Sequence, residues 1–128
     1  MTQAISNGIK ISVETEYQPN HSQSLIHEHI FSYHISIENT LPDAIKLHSR
    51  HWHIFDSLGI WREVKGDGVV GLQPLLLPGE KFDYTSSCNL ITEIGKMRGT
   101  YTMIRLRDKK KFNVGIPEFE LISPIKMN

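Results

Sequence analysis

Only one cysteine, Cys88, occurs in 128 residues, so no intrachain disulfide can form and nothing calls for an oxidising compartment. Neither sign of charge is in surplus: Lys+Arg is 14 and Asp+Glu is 14. A broad nucleic-acid or membrane footprint needs a basic excess, so the balance argues against either and leaves room only for a local patch. Long apolar runs are missing too. The longest aliphatic run is Leu75, Leu76 and Leu77, against about 20 residues for a bilayer span. The first charged side chain is Lys10, and no apolar run of about seven residues follows the start methionine, so no export signal is read. A cytoplasmic protein with no membrane insertion is expected. Alanine is the last shortage: there are 2 Ala against 16 Ile, 5 Val and 7 Thr. β-Branched side chains fit a pleated surface and lose rotamer freedom in a helix, so this composition favours sheet.

What is present alternates. Ile9, Ile11, Val13, Thr15 and Tyr17 are separated by Lys10, Ser12, Glu14 and Glu16, which predicts a half-buried strand. Gln18 to Glu28 reads as a polar loop. Phe31, Tyr33, Ile35 and Ile37 then share one face of a second strand, which ends near Asn39. A third strand runs roughly from Ile45 to Phe55. Leu47 and Trp52 are of opposite parity, which predicts a β-bulge or bend near Ser49 and Arg50. Ile60 to Lys65 returns as a short strand. Pro74 and Pro78 interrupt an extended edge stretch, and Pro78-Gly79 turns the chain into a strand carrying Phe82 and Tyr84. Ser86 to Gly95 reads as a longer connection anchored at Ile91 or Ile94. Met97 to Met103 and Phe112 to Ile116 alternate around a charged tip at Asp108 to Lys110. Pro117 breaks that last run, and Phe119 and Leu121 can continue it at the edge.

About seven or eight short strands, a turn every 8–12 residues and no helical period describe an all-β immunoglobulin or fibronectin type III-like β-sandwich. There is no repeat and no low-complexity linker, so residues 1–128 are read as one domain.

Several segments together carry a resemblance. They are Ser49-Arg50-His51-Trp52, Gly66-Asp67-Gly68-Val69-Val70-Gly71 followed by Gln73-Pro74, and Pro78-Gly79-Glu80 with Phe82 and Tyr84-Thr85-Ser86. Met97-Arg98-Gly99-Thr100-Tyr101-Thr102-Met103 and Ile116-Pro117 with Phe119 and Leu121 complete the set. In order and spacing these pieces resemble the ApaG family across nearly the whole chain. The resemblance implies a fibronectin type III-like sandwich and a bacterial protein linked genetically to cobalt resistance and magnesium efflux. It also implies a protein-binding unit, since eukaryotic relatives are modules of an F-box protein and of a polymerase-associated protein. It implies no catalytic residue set.

Gly66, Gly68 and Gly71 spell G-x-G-x-x-G, a phosphate fingerprint where a strand precedes it and a helix follows. Here Pro74 and Pro78 exclude the helix. Backbone N–H groups of such a loop could still form an anion nest, so the expected anion- or partner-binding loop is Gly66, Asp67, Gly68 and Gly71, with Arg98 or Lys65 beside it. Gly68→Val is expected to spoil that contact and to leave the sandwich folded. His48, His51 and His53 invite a metal reading, but no close carboxylate completes it, with Asp56 the nearest. No metal site and no cofactor are therefore expected. His21, His27, His29 and His34 are read as surface residues. Cys88 lacks a Cys/His motif and reads as a small hydrophobe or an inert thiol, and no catalytic residue is assigned. Arg105, Arg107, Lys109, Lys110 and Lys111 read as a solvated hairpin. Trp52 is assigned to the core, and Trp61 to either core or an exposed anchor.

The function expected is a non-enzymatic binding domain. It would take a protein partner, or a second copy as a homodimer, through a strand edge and the glycine loop. The alternative is a pyrophosphate- or nucleotide-binding module using Gly66–Gly71.

Overall fold

The computed structural model describes residues 1–19 and 28–124. Among them there is no α-helix. The elements are β1 (Thr2–Ser6), β2 (Ile9–Tyr17), β3 (His29–Asn39), β4 (Ile45–Asp56), β5 (Trp61–Asp67), β6 (Leu75–Leu76), β7 (Lys81–Leu90), β8 (Ile94–Arg105) and β9 (Lys110–Ile122). One antiparallel sheet has the order β1-β2-β3-β7, and the other has β5-β4-β8-β9 with β6 on the same side of β4 as β5. The chain crosses between sheets three times, after β3, after β6 and after β7. This is the expected β-sandwich.

Alternation builds the core. Phe31, Tyr33, Ile35 and Ile37 of β3 face Met97, Tyr101 and Met103 of β8 within one buried cluster. Trp52 is at its centre, with ring centroids 5.5 Å from Tyr33, 5.9 Å from Phe119 and 6.3 Å from Tyr101. Phe119 reaches the core because β9 runs through Pro117: Met97 pairs with Phe119 and Gly99 with Ile116, so the strand bulges at 117–118. In β4 the bulge falls at His48, between the Leu47↔Met103 and Ser49↔Thr102 pairs. That slip lets Leu47 and Trp52 both point inward, one residue earlier than the sequence suggests.

Two expectations are corrected. Ser86 to Gly95 is not a long connection: β7 continues to Leu90, which is buried, while Ile91 and Ile94 are exposed. The N-terminal residues add a strand that the sequence reading missed. Its turn is Asn7-Gly8, with φ of 49° and 79°, the pair of left-handed residues that a two-residue hairpin requires.

The four outer strands meet in pairs across the sandwich. On one flank β1 meets β9: Asn7 Nδ2 donates to Asn113 O at 2.7 Å and Gly115 N to Ser6 Oγ at 3.4 Å. On the other flank β5 meets β7, where Arg62 Nη2 donates to Asn89 O at 2.6 Å.

Inside the core, the hydroxyls of Tyr84 and Tyr101 hydrogen-bond to one another. Burial is the main reason both phenols are pushed well above their ordinary range. Each hydroxyl satisfies the other, so removing one orphans its partner. Tyr101→Phe is expected to cost about 1–3 kcal/mol, and the Tyr84→Phe/Tyr101→Phe double variant less than the sum of the singles. A double-mutant cycle in denaturant melts measures this, and strict additivity would contradict it.

Candidate functional site

β5 and β6 leave a gap along the edge of β4. β5 pairs with Ser49 to Phe55 and β6 with Ile45 and Lys46. Residues 68–74 fill the gap as a small hairpin, anchored at the His48 bulge. Gly68 N and Gln73 Nε2 both donate to His48 O at 2.9 Å, and Leu47 N donates to Pro74 O at 3.0 Å. Val69 is fully buried, and it exchanges two backbone hydrogen bonds of 2.8 Å with Leu72. The two residues between them, Val70 and Gly71, have φ of 44° and 78°. A turn with both φ positive suits Asn-Gly and penalises a β-branched residue. Val70 is therefore strained, and its side chain is exposed.

Each glycine of the motif has its own task. At Gly66 a Cβ would lie 2.8 Å from Arg50 Nη1, so the missing side chain makes room for that guanidinium. Arg50 in turn donates to Asp67 O at 3.1 Å and Gly68 O at 3.0 Å. At Gly68, φ is 61° and a Cβ would stand 2.0 Å from Leu72 O. Gly68 is thus packed against backbone, which corrects the expectation that a loop position tolerates Val. Gly71 has open space and is needed only for its φ of 78°.

The structure brings Gly66, Asp67, Gly68 and Gly71 together and leaves Arg98 away from them. Arg98 is opposite His53 on β8, with its guanidinium 5.2 Å from the Phe55 ring centroid. Lys65 is exposed on β5 opposite His51. The cation at the hairpin is Arg50, which the sequence reading did not select. The amides of Gly68, Val69 and Leu72 all donate to carbonyl groups of the chain, so they offer nothing to an anion. β6, not a helix, follows.

What the hairpin offers outward is apolar. Val70, Leu72, Leu75 and Leu77 are each about half exposed, at 49–54%. Buried Asn39 fixes the last two from below: its Nδ2 donates to Leu76 O at 3.0 Å, and its backbone accepts from Gly79 N in the Pro78-Gly79 turn at 2.8 Å. Further along the same edge, exposed Trp61 stacks on Phe55 at 5.9 Å, so it is a surface residue and not core.

The histidines separate. His51 and His53 share the outer face of β4, with ring centroids 4.4 Å apart. Glu63 of β5, directly opposite His53, comes within 3.6 Å of both rings. This corrects the expectation that no carboxylate joins them. Asp56 instead accepts from Leu58 N at 2.9 Å and Ile60 N at 3.3 Å, shaping the β4–β5 turn. His48 is not part of the group. His29, expected at the surface, is buried with Nδ1 3.2 Å from Tyr17 Oη. His34 is exposed and 3.6 Å from Asp83. His21 and His27 lie outside the described residues.

Cys88 is buried, and burial pushes its thiol above the ordinary range, with the Arg62 charge opposing. A thiol held protonated is a poor nucleophile. At the charged tip, Arg105 grips Asp108 through two hydrogen bonds of 3.0 and 2.8 Å, which hold that carboxyl down to about 2. Arg107 pairs with Asp43 at 3.1 Å.

Comparison with known proteins identifies the relatives. The family model of the ApaG domain matches residues 19–105. The chain is 47% identical over 116 residues to Protein ApaG of Thiobacillus denitrificans, covering 91% of each chain. It is 43% identical over 128 residues to Protein ApaG of Anaeromyxobacter dehalogenans, covering 100% of both. A crystal structure of a Bordetella pertussis protein designated ApaA superposes with a TM-score of 0.87 at 41% identity, over 97% of this chain and 98% of that one. A sandwich with this hairpin at its edge and sequence identity along its whole length lead to one assignment: the chain belongs to the ApaG domain family.

Proposed function

We propose that residues 1–128 act as one non-enzymatic binding module, which takes a protein partner on the glycine hairpin and the adjoining β5–β6 edge. The observation that carries this is Val70. A strained residue is retained where the surrounding structure gives it a purpose, and this one does no packing for the core. Its side chain is held outward beside Leu72, Leu75 and Leu77. Edge strands add unpaired backbone groups that a partner strand can use. The setting we take for that partner is divalent-cation homeostasis, which the resemblance implied from the start. Nucleic acid is not the partner in this reading, because the basic tip is partly neutralised by Asp43 and Asp108.

The test exploits the strain. Val70→Asn puts a residue that accepts positive φ into the same turn. It is expected to raise stability by about 1 kcal/mol while weakening partner capture. Thermal melts, pull-downs from the native cell and sedimentation of the tagged chain measure both effects. If Val70→Asn combined with Leu72→Ser captures the same proteins and sediments as the unmutated chain does, the proposal is wrong.

A further inference from the structure

We propose that the outer face of β4 and β5 binds a divalent transition metal of the Zn²⁺ class through His51 Nε2, His53 Nδ1 and a Glu63 carboxylate oxygen. The donor set is two imidazoles and a carboxylate, which suits Zn²⁺ and its neighbours and not a hard cation. The site does not depend on the partner-binding reading: Glu63 shares strand β5 with that edge, but the metal ligands are side chains on the outer face of the sheet and the partner reading uses the hairpin and the edge backbone.

The strand period creates it. Residues two apart on a strand share a face, so His51 and His53 project together. Antiparallel pairing sets Glu63 directly opposite His53 and diagonal to His51. The three ligand atoms lie within 4.8 Å of one another. Glu63 Oε1 is 3.6 Å from His51 Nε2 and 3.6 Å from His53 Nδ1. Those separations are too long for hydrogen bonds. They are close to what an ion between the atoms would impose: tetrahedral bonds of about 2.0–2.2 Å put neighbouring ligands about 3.3–3.6 Å apart.

A second observation points the same way. His51 Nε2 is buried and has no hydrogen-bond partner. Buried polar atoms are normally satisfied, and this one faces the carboxylate across a gap of ion size. The scaffold is firm, because β4 is paired on both sides by β5 and β8, and the Trp61 ring lies 5.8 Å from His53. Two cations share this face, Lys65 opposite His51 and Arg98 opposite His53. Arg98 is drawn over Phe55, and Lys65 is exposed. Three protein ligands leave a fourth tetrahedral position for water.

The test is calorimetric titration of the chelator-treated full chain with Zn²⁺. One saturable equivalent is expected. His53→Gln and Glu63→Gln are each expected to weaken it at least about 10-fold. His34→Gln removes a different surface histidine, one beside Asp83, and should leave the affinity unchanged. Melts without metal check that the variants fold. Should they not fold, imidazole NMR of the unmutated chain decides, with the His51 and His53 signals expected to shift before that of His34. The proposal fails if nothing saturates below about 1 mM Zn²⁺. It fails also if His34→Gln loses as much affinity as His53→Gln, if the two site variants bind normally, or if the His34 signal moves first.

Discussion

Trp52→Ala is expected to lower the unfolding free energy by about 3–5 kcal/mol in urea melts, the loss typical of deleting a large buried ring. The ring is 2% exposed and meets three aromatic rings contributed by β3, β8 and β9. Both sheets therefore lose contacts at once. The cavity would open between them, where backbone pairing prevents either sheet from collapsing inward. Domains of this size hold only about 5–15 kcal/mol in total, so this one substitution would remove a large fraction of the stability. A loss below about 1 kcal/mol would contradict the packing described here.

Gly68→Val is the second large effect, expected at roughly 2–4 kcal/mol with loss of partner capture. Two penalties combine at that position. A β-branched side chain resists a φ of 61°, and its Cβ would collide with Leu72 O at 2.0 Å. The carbonyl belongs to the backbone pair that closes the hairpin, so relief of the clash breaks the Val69–Leu72 exchange. Denaturant melts and pull-downs read the two consequences. Pyrophosphate titration of the unmutated chain is the decisive companion, and no binding is expected. Micromolar pyrophosphate binding that disappears in Gly68→Val, with partner capture unchanged, would make the loop an anion site instead.

The sandwich was legible because its strands are amphipathic in the simplest way. Phe31 to Ile37 and Met97 to Met103 alternate without interruption, and that period leaves no other element type open. The bulge in β4 was legible for the same reason, as a parity conflict between Leu47 and Trp52. β1 escaped because Thr2 to Ser6 buries little and shows no alternation, although Asn7-Gly8 is a strong hairpin signal that could have revealed it.

The site was less legible. Glycine spacing marked a turn at 66–71 but not which of its amides donate within the chain, since that depends on where each one points. Arg98 was chosen for its charge. Register sends it to Phe55 instead, and gives the hairpin Arg50. Glu63 joins His51 and His53 across a strand pair, and cross-strand neighbours are fixed by turn length, not by nearness in sequence. The β4–β5 turn held by Asp56 determines that neighbour, and nothing in the local pattern of β5 signals it.

The closing of one flank by Asn7 and Ser6 limits how copies can assemble. Among the described residues, β1, β9, β5 and β7 are the outer strands of the two sheets. The β1–β9 flank is tied across the sandwich by Asn113 and Gly115. Apolar side chains crowd the other flank, around β5 and β6. Ile5 of β1 is exposed on the tied flank, but the apolar cluster of Val70, Leu72, Leu75 and Leu77 is on the other. Head-to-tail addition needs two complementary sides and propagates into a filament, whereas a single self-complementary side is exhausted once it is paired. If the proposed partner flank also serves self-association, the assembly is expected to end at two copies, with a partner strand and a second copy competing for the same edge.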